Sequence, residues 1–251
     1  MAGYLRLRQI CLVAPALGPA EADITALLGV PVCYRDPNVA AYGLENALWP
    51  LGPDILEVVA PTRDGTAAGR FIERSGGRGG YMAIFDCDDA AALEAHANAL
   101  GVRTANLIAH HDYRGVQLHP RDCRAAMIEF STTAGGAALD GPYHPAGADW
   151  PKTVRVDGLP RLVAAEVAGP DPAALAAHWA AIMRVPVAVG PAIRLEHGRI
   201  HFIPGEAERL DGLRLGVRDP AAVRGVAAGR GLLRDGAIQV SGVRVVLETV
   251  A

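Results

Sequence analysis

Aromatic residues make up only 5% of this 251-residue chain, and no two of its cysteines stand in a C-x-x-C spacing. The four cysteines (Cys11, Cys33, Cys87 and Cys123) are scattered, which argues against a zinc-cysteine site or a disulfide framework. Cys11 and Cys33 fall in strand-like runs and read as small buried hydrophobes. No apolar run reaches the roughly 18 residues of a membrane span. The opening Met-Ala-Gly-Tyr-Leu-Arg-Leu-Arg-Gln-Ile has no apolar stretch of the kind a secretory leader needs. Formal charge is nearly balanced at −3 with no basic run, so nucleic acid is excluded as a partner. There is no Ser-His-Asp signature, no G-x-S-x-G and no dinucleotide fingerprint. The glycine run Gly76-Gly-Arg-Gly-Gly80 lacks the Walker Lys-Ser/Thr and precedes a strand, so no nucleotide cofactor is expected. These absences predict a soluble, cytoplasmic protein with no membrane partner.

What is present is ample apolar material, 51% of residues with a mean hydropathy of +0.18, much of it alanine. Small side chains predict closely approaching layers. Four strand-like runs end on an aliphatic residue followed by a polar one: Leu56-Glu57, Ile128-Glu129, Ile200-His201 and Leu247-Glu248. Around each pair recurs a strand, an Ala-rich helix and further strands. An internal repeat of this kind decides architecture before any single residue is interpreted.

In the first unit, Gln9-Ile-Cys-Leu-Val-Ala14 reads as a buried strand and Glu21–Leu28 as a helix stopped by Gly29. Val32–Arg35, Val39–Trp49 and Asp54–Ala60 follow as strands, with Asp36-Pro37-Asn38 and Gly52-Pro53-Asp54 as turns. The third unit repeats the first at an offset of 155, most clearly as Val30-Pro31-Val32 against Val185-Pro186-Val187. The second and fourth units correspond at an offset of 131, and the fourth reads as truncated. Thr133–Pro160, rich in Gly, Pro and Ala, reads as a long connection in which Trp150 anchors the segment to a domain. The organisation expected is α+β: tandem βαβββ units, with curled mixed sheets forming open barrel-like clefts, in two paired-unit domains. Residues 1–135 are the first pair, 136–160 a linker and 161–251 a degenerate second pair.

The order and spacing of Gln9-Ile-Cys-Leu-Val, Leu27-Leu-Gly-Val, Asp54-Ile-Leu-Glu-Val, Gly79-Gly-Tyr-Met-Ala-Ile, Leu100-Gly-Val-Arg and Ala126-Met-Ile-Glu-Phe resemble the vicinal-oxygen-chelate superfamily. This is the glyoxalase, bleomycin-resistance and dioxygenase group. The resemblance implies a cleft between two units, with metal ligands from the first and last strands of each. Those positions here are Gln9, Glu57, Tyr81 and Glu129, so Gln9, Glu57 and Glu129 are the implied ligands of one divalent metal (Zn, Fe, Mn or Ni). Tyr81 stands where the family has His, and a phenol that ionises near pH 10 is a poor ligand. The second half's equivalents, Ala164, His201, Gly212 and Glu248, include only two donors, so no metal is expected there.

Glu57 and Glu129 sit in strongly apolar strands. Facing a cleft, they would hold a cation, share a proton or meet a basic partner; facing outward, they would lie on a solvated sheet. Glu57, Glu129 and His119 are the candidate catalytic residues. Gln9, Tyr81, Trp49 and Arg70 are candidates for binding substrate, Arg70 forming with Arg74 an i,i+4 pair able to meet an anion. His119 follows Leu118 and precedes Pro120, an ordered setting for an acid/base group, while His110-His-Asp112 reads as a loop. The function expected is a glyoxalase-like lyase, isomerase or epimerase working next to a carbonyl of a small organic substrate, with a homodimer as one arrangement. The alternative is a metal-free binding or drug-sequestering protein of the resistance type.

Overall fold

The computed structural model describes residues 3–250, so the expected outer domain limits at 1 and 251 lie outside the described residues. The first unit opens with β1 (Leu5–Val13) and α1 (Leu17–Leu28), followed by β2 (Leu44–Leu51) and β3 (Asp54–Pro61). Helix α1 begins earlier than its apolar periodicity suggests, because Pro19 fits a first turn, whose N–H has no intrahelical partner in any case. It ends at Gly29 in the left-handed region, as read. The strand expected at Val32–Arg35 is reduced to one bridge, Tyr34 to Leu48, so Cys33 lies outside any strand. The strand expected from Val39 is a 3-10 turn (Pro37–Tyr42) that ends at Gly43, φ +71°, before β2 begins. Asp36 caps that turn, its carboxylate accepting from the Asn38 N–H, and so displaces the strand.

Helix α2 (Ala67–Ser75) crosses to the second unit. Thr66 caps it through the Gly69 N–H. The second unit is complete: β4 (Met82–Cys87), α3 (Ala90–Ala99), β5 (Thr104–His110), β6 (Tyr113–Leu118), the short α4 (Pro120–Cys123) and β7 (Met127–Thr133). The third comprises β8 (Arg161–Gly169), α5 (Pro172–Met183), β9 (Ala192–Arg194) and β10 (Arg199–Pro204). The fourth comprises β11 (Arg209–Val217), α6 (Pro220–Gly229), β12 (Leu233–Arg234), β13 (Ala237–Val240) and β14 (Val243–Thr249). It is therefore a whole βαβββ unit with shortened strands, because the Asp235-Gly236 and Ser241-Gly242 turns need very little chain.

β1–β7 form one seven-stranded mixed sheet in the order β2-β3-β1-β4-β7-β6-β5, and β8–β14 a second in the order β12-β13-β14-β11-β8-β10-β9. In each sheet the first strands of two units pair antiparallel at the centre, and each first strand pairs parallel with the last strand of its own unit. That arrangement places an approximate twofold axis between β1 and β4, at the Ile10–Ala83 pair.

Alternation along the strands sends Leu7, Ile10, Leu12, Leu56, Val58, Ala83, Phe85, Ile128 and Phe130 to one face, where they join one continuous core with Leu162, Val167, Leu213 and Leu215 of the second sheet. Helices α1, α3, α5 and α6 fill the space between the sheets, and their alanines permit close approach. Trp179 of α5 spans the layer, its ring centroid 6.5 Å from Phe85 and 5.8 Å from Phe202. The glycine run binds the two halves together. The Gly79 N–H donates to the Gly242 carbonyl and the Gly80 N–H to Leu210, both at 2.7 Å. A Cβ on Gly242, where φ is +83°, would meet the Gly77 carbonyl. None of the described helices is long and apolar enough to cross a membrane.

Candidate functional site

The opposite face of the first sheet is concave and carries the polar residues. A β-bulge opens between Leu7 and Gln9, and the extra residue turns Arg8 and Gln9 onto this same face. Cys11 and Val13 continue it on β1, Met82 and Ile84 on β4, Glu57 and Val59 on β3, Met127 and Glu129 on β7. In register, Cys11 pairs with Glu57 and Ile84 with Glu129, which makes the two glutamates equivalent across the twofold axis. The inward orientation left open by the sequence is the one adopted, and both side chains are buried.

Each carboxylate is held by two neutral donors. Glu57 accepts from Gln9 Nε2 at 2.8 Å and from Asn46 Nδ2 at 2.7 Å. Glu129 accepts from the Tyr113 hydroxyl at 2.7 Å and from Gln117 Nε2 at 2.8 Å. Loss of water raises the pKa of both above the ordinary glutamate value; these hydrogen bonds offset part of that, and the charge of Glu57 pushes Glu129 further up. The Cys11 thiol lies against Glu57, and burial, then that carboxylate, raises its pKa well above the usual value.

The donor set can be tested against a divalent metal. All four carboxylate oxygens already accept from neutral groups, and Gln9 turns its N–H toward Glu57. The third position of the implied ligand set is filled by Met82, since Met82 stands two residues before Ile84 as Gln9 stands two before Cys11. A thioether is soft, whereas carboxylate and amide oxygens suit hard ions. Among the described residues no group of three His, Cys, Asp or Glu side chains converges. These residues do not fit a divalent ion.

Of the other expected site residues, Tyr81 packs at the edge of this face against Cys11, Met82 and Ile84, and the rest fall elsewhere. Tyr81 precedes β4, its N–H donating to the Cys11 carbonyl at 2.9 Å and its ring lying edge-on to Phe71 of α2, 5.2 Å between centroids. Burial pushes its hydroxyl up to about 12. Trp49 points to the opposite face, into the main core, and donates to Thr25 Oγ1 at 2.9 Å. His119 caps α4 on the helix side of the sheet, accepting from the Arg121 N–H, because Pro120 starts a helical turn there. Arg70 is held by the Gly65 carbonyl at 2.6 Å and makes no contact with either glutamate. His110 does belong to the site's rim: with Tyr113 and His144 it forms a stack, Tyr113 and His144 lying 4.7 Å apart.

Sequence reasoning missed Asn46, Tyr113 and Gln117, each a polar residue alternating with apolar ones on an inward strand face. It also missed Arg8, whose adjacency to Gln9 in an apolar strand is the signature of a bulge. Above all it missed Tyr143. The segment 134–160 is no bare connection, since Tyr143, Ala146 and Trp150 are buried against Leu48 and Ile55 over the concave face. Trp150 anchors it as read. Outside these two rings a cavity of about 500 Å³ opens, bordered by Tyr34, Asp112, Thr133, Tyr143, His144 and Trp150.

The second sheet, of the pair read as degenerate, has a polar face of its own. It carries an ion-pair network in which buried Glu166 accepts from Arg214 at 2.9 Å and Arg244 at 2.5 Å, while Arg214 also donates to Glu248 at 2.7 Å. His201 lies beside it, its pKa lowered by burial and then by Arg214.

Comparison with family models matches residues 10–183 to a glyoxalase-like domain. The chain belongs to the glyoxalase-like domain family. It is thereby a member of the vicinal-oxygen-chelate superfamily. Among solved structures, a hypothetical protein from Staphylococcus aureus matches 98% of this chain and 99% of its own at 10% identity and a TM-score of 0.63, which shows the shared fold over the whole length. Methylmalonyl-CoA epimerase of Streptomyces coelicolor (a Q60A variant with 2-nitronate-propionyl-CoA) matches 52% of this chain and 99% of its own, with 24% identity and a TM-score of 0.47. The Mycobacterium tuberculosis methylmalonyl-CoA epimerase matches 51% of this chain and 88% of its own, with 20% identity and a TM-score of 0.45. The curated proteins give no match.

Proposed function

We propose that the first pair of units is a glyoxalase-like acid/base enzyme, an isomerase, epimerase or lyase that moves a proton on the carbon next to a carbonyl of a small organic molecule. The observation that supports it most is the pair of buried glutamates at equivalent positions, each held by neutral donors alone. A desolvated carboxylate with a raised pKa is the stronger base when ionised and a useful acid when protonated. One glutamate removes the proton from the carbon, the electron pair passes to the carbonyl oxygen as an enolate, and the other glutamate, protonated, returns a proton. Tyr113 and Gln117 on one side and Gln9 and Asn46 on the other fix the two carboxylates.

Solvent deuterium incorporation tests this reading. The protein is incubated in D2O with a panel of 2-oxo acids, α-hydroxyketones and acyl thioesters, and exchange at the α-carbon is followed by NMR. Exchange in the wild type that falls by at least a hundredfold in both Glu57→Gln and Glu129→Gln is the expected result. Equal exchange in those variants would remove the glutamates from the chemistry.

The second reading is a metal-free binding protein of the resistance type, favoured by Met82 in the ligand set and by the rings of Tyr143 and Trp150 over the concave face. Saturable ligand binding with no exchange in any member of the panel would establish it instead.

A further inference from the structure

Arg8 is the most unusual residue of the concave face. It is a charged side chain only 1% exposed, and its Nε and Nη1 have no hydrogen-bond partner. Two aromatic rings of the 134–160 segment cover it, with its guanidinium carbon 4.9 Å from the Tyr143 ring centroid and 5.3 Å from that of Trp150. The Tyr143 hydroxyl and the Trp150 indole nitrogen are also buried without a partner. Three side chains packed on one another therefore leave four buried donors unmet. Opposing them are two bare acceptors on this face, Asp86 Oδ1 and Gln9 Oε1, still fewer than the donors.

A buried polar group without a partner costs free energy, and a buried cation costs more. Cation–π contact with two rings offsets part of this, but rings cannot accept hydrogen bonds along the guanidinium plane as an oxygen anion does. The surplus of donors matches an acceptor-rich, negatively charged group. A cavity of about 500 Å³ lies against the same two residues, Tyr143 and Trp150, that cover Arg8. Glu129 and Glu57 are near enough for their charges to raise the Tyr143 pKa, so the donors and the proton-transfer pair belong to one site.

We propose that Arg8, with the Tyr143 hydroxyl and the Trp150 N–H, is the anion-recognition subsite of this cleft, and that its ligand carries a carboxylate beside the carbonyl. The assignment to a carbonyl compound rests on the proposed function; the anion site does not. The bulge in β1 is the device that supplies it, turning Arg8 to the same face as Gln9. A ligand bound there places its carboxylate on Arg8 and its carbonyl end toward the glutamates.

Calorimetric titration with pyruvate and 2-oxobutanoate, against their methyl esters, tests the subsite. The acids bind saturably and the esters at least tenfold more weakly. Arg8→Met abolishes that preference by weakening acid binding at least tenfold with ester binding unchanged, and its unfolding midpoint equals or exceeds that of the wild type. A purely structural Arg8 would instead lower the midpoint. Should Arg8→Met not fold, Trp150→Phe keeps a ring over Arg8 and removes one donor, and it weakens the acids selectively. No saturable acid binding, equal binding of acid and ester, or unchanged acid affinity in the variants overturns the proposal. Acid binding without deuterium exchange leaves the subsite standing and sinks only the proton-transfer reading.

Discussion

Gln9 and Met82 occupy the same place in their two units, two residues before Cys11 and Ile84, the residues in register with Glu57 and Glu129. The site is thus symmetric in its carboxylates and asymmetric in its other corner, and that asymmetry should set its affinity for metal. Elemental analysis after dialysis against Zn²⁺, Mn²⁺, Ni²⁺ and Fe²⁺ should find well under one equivalent bound in the wild type. Met82→His supplies an imidazole in place of the thioether at that corner and should bind about one equivalent of Zn²⁺, since three or four protein ligands make a stable site. Stoichiometric metal in the wild type would show that the carboxylates release their neutral donors to a cation.

The same corner shows what was legible in the sequence. Glu57 and Glu129 stood out because they repeat at strand ends in apolar surroundings, and a period of two makes such residues share a face. Whether position 81 or 82 completed the set depended on a single step of register, and one residue's slip reverses the face of every side chain. The fold was legible through Val30-Pro31-Val32 and its copy at Val185. Trp49 and His119 were misplaced because strand alternation and an N-cap act through neighbours rather than through the residue's own chemistry. Tyr143 was hidden for a different reason. A segment without periodicity can still be buried by tertiary contacts, and nothing local in Gly141-Pro-Tyr-His-Pro145 distinguishes a plug from a loop.

Asp86 gives the clearest dependence on pH. Burial raises its pKa from 3.8 to about 6, against the opposing charges of Arg8 and Arg6. The folded state therefore holds this proton more tightly than the unfolded chain. The stability that follows is fully present below pH 3.8 and is lost as pH rises through about 6. Replacing Asp86 with Asn removes the dependence, so from pH 4 to pH 7 the variant should gain on the wild type by about 2–3 kcal/mol. Urea denaturation at both values measures it, and parallel curves for the two proteins would refute the assignment.

Glu57 and Glu129 carry the same sign. Their folded-state pKa values are raised by desolvation, so ionising them on going from acid to neutral pH destabilises the fold. Glu57→Gln and Glu129→Gln should each be more stable than the wild type at pH 8, by on the order of 1 kcal/mol. That advantage should shrink at pH 4, while turnover is lost. A variant less stable at both values would mean that the carboxylate is chiefly a structural acceptor.

Trp179 tests whether the two sheets stand or fall together. Its ring touches Phe85 of the first sheet and Phe202 of the second, and its indole nitrogen donates to the Cys123 carbonyl at 2.9 Å. Truncation to Ala opens a cavity between the layers and orphans that carbonyl, a loss of about 3–5 kcal/mol. Because the core is continuous through the helix layer, both halves should unfold in one transition in the wild type, with its midpoint displaced in Trp179→Ala. Tryptophan fluorescence, which reports Trp49 and Trp150 on the first sheet and Trp179 in the layer between the sheets, and far-ultraviolet circular dichroism, which reports the whole chain, should give coincident curves. Two separated transitions in the wild type would show that the shared core does not couple the halves, and the contact at Trp179 would then contribute to one of them alone.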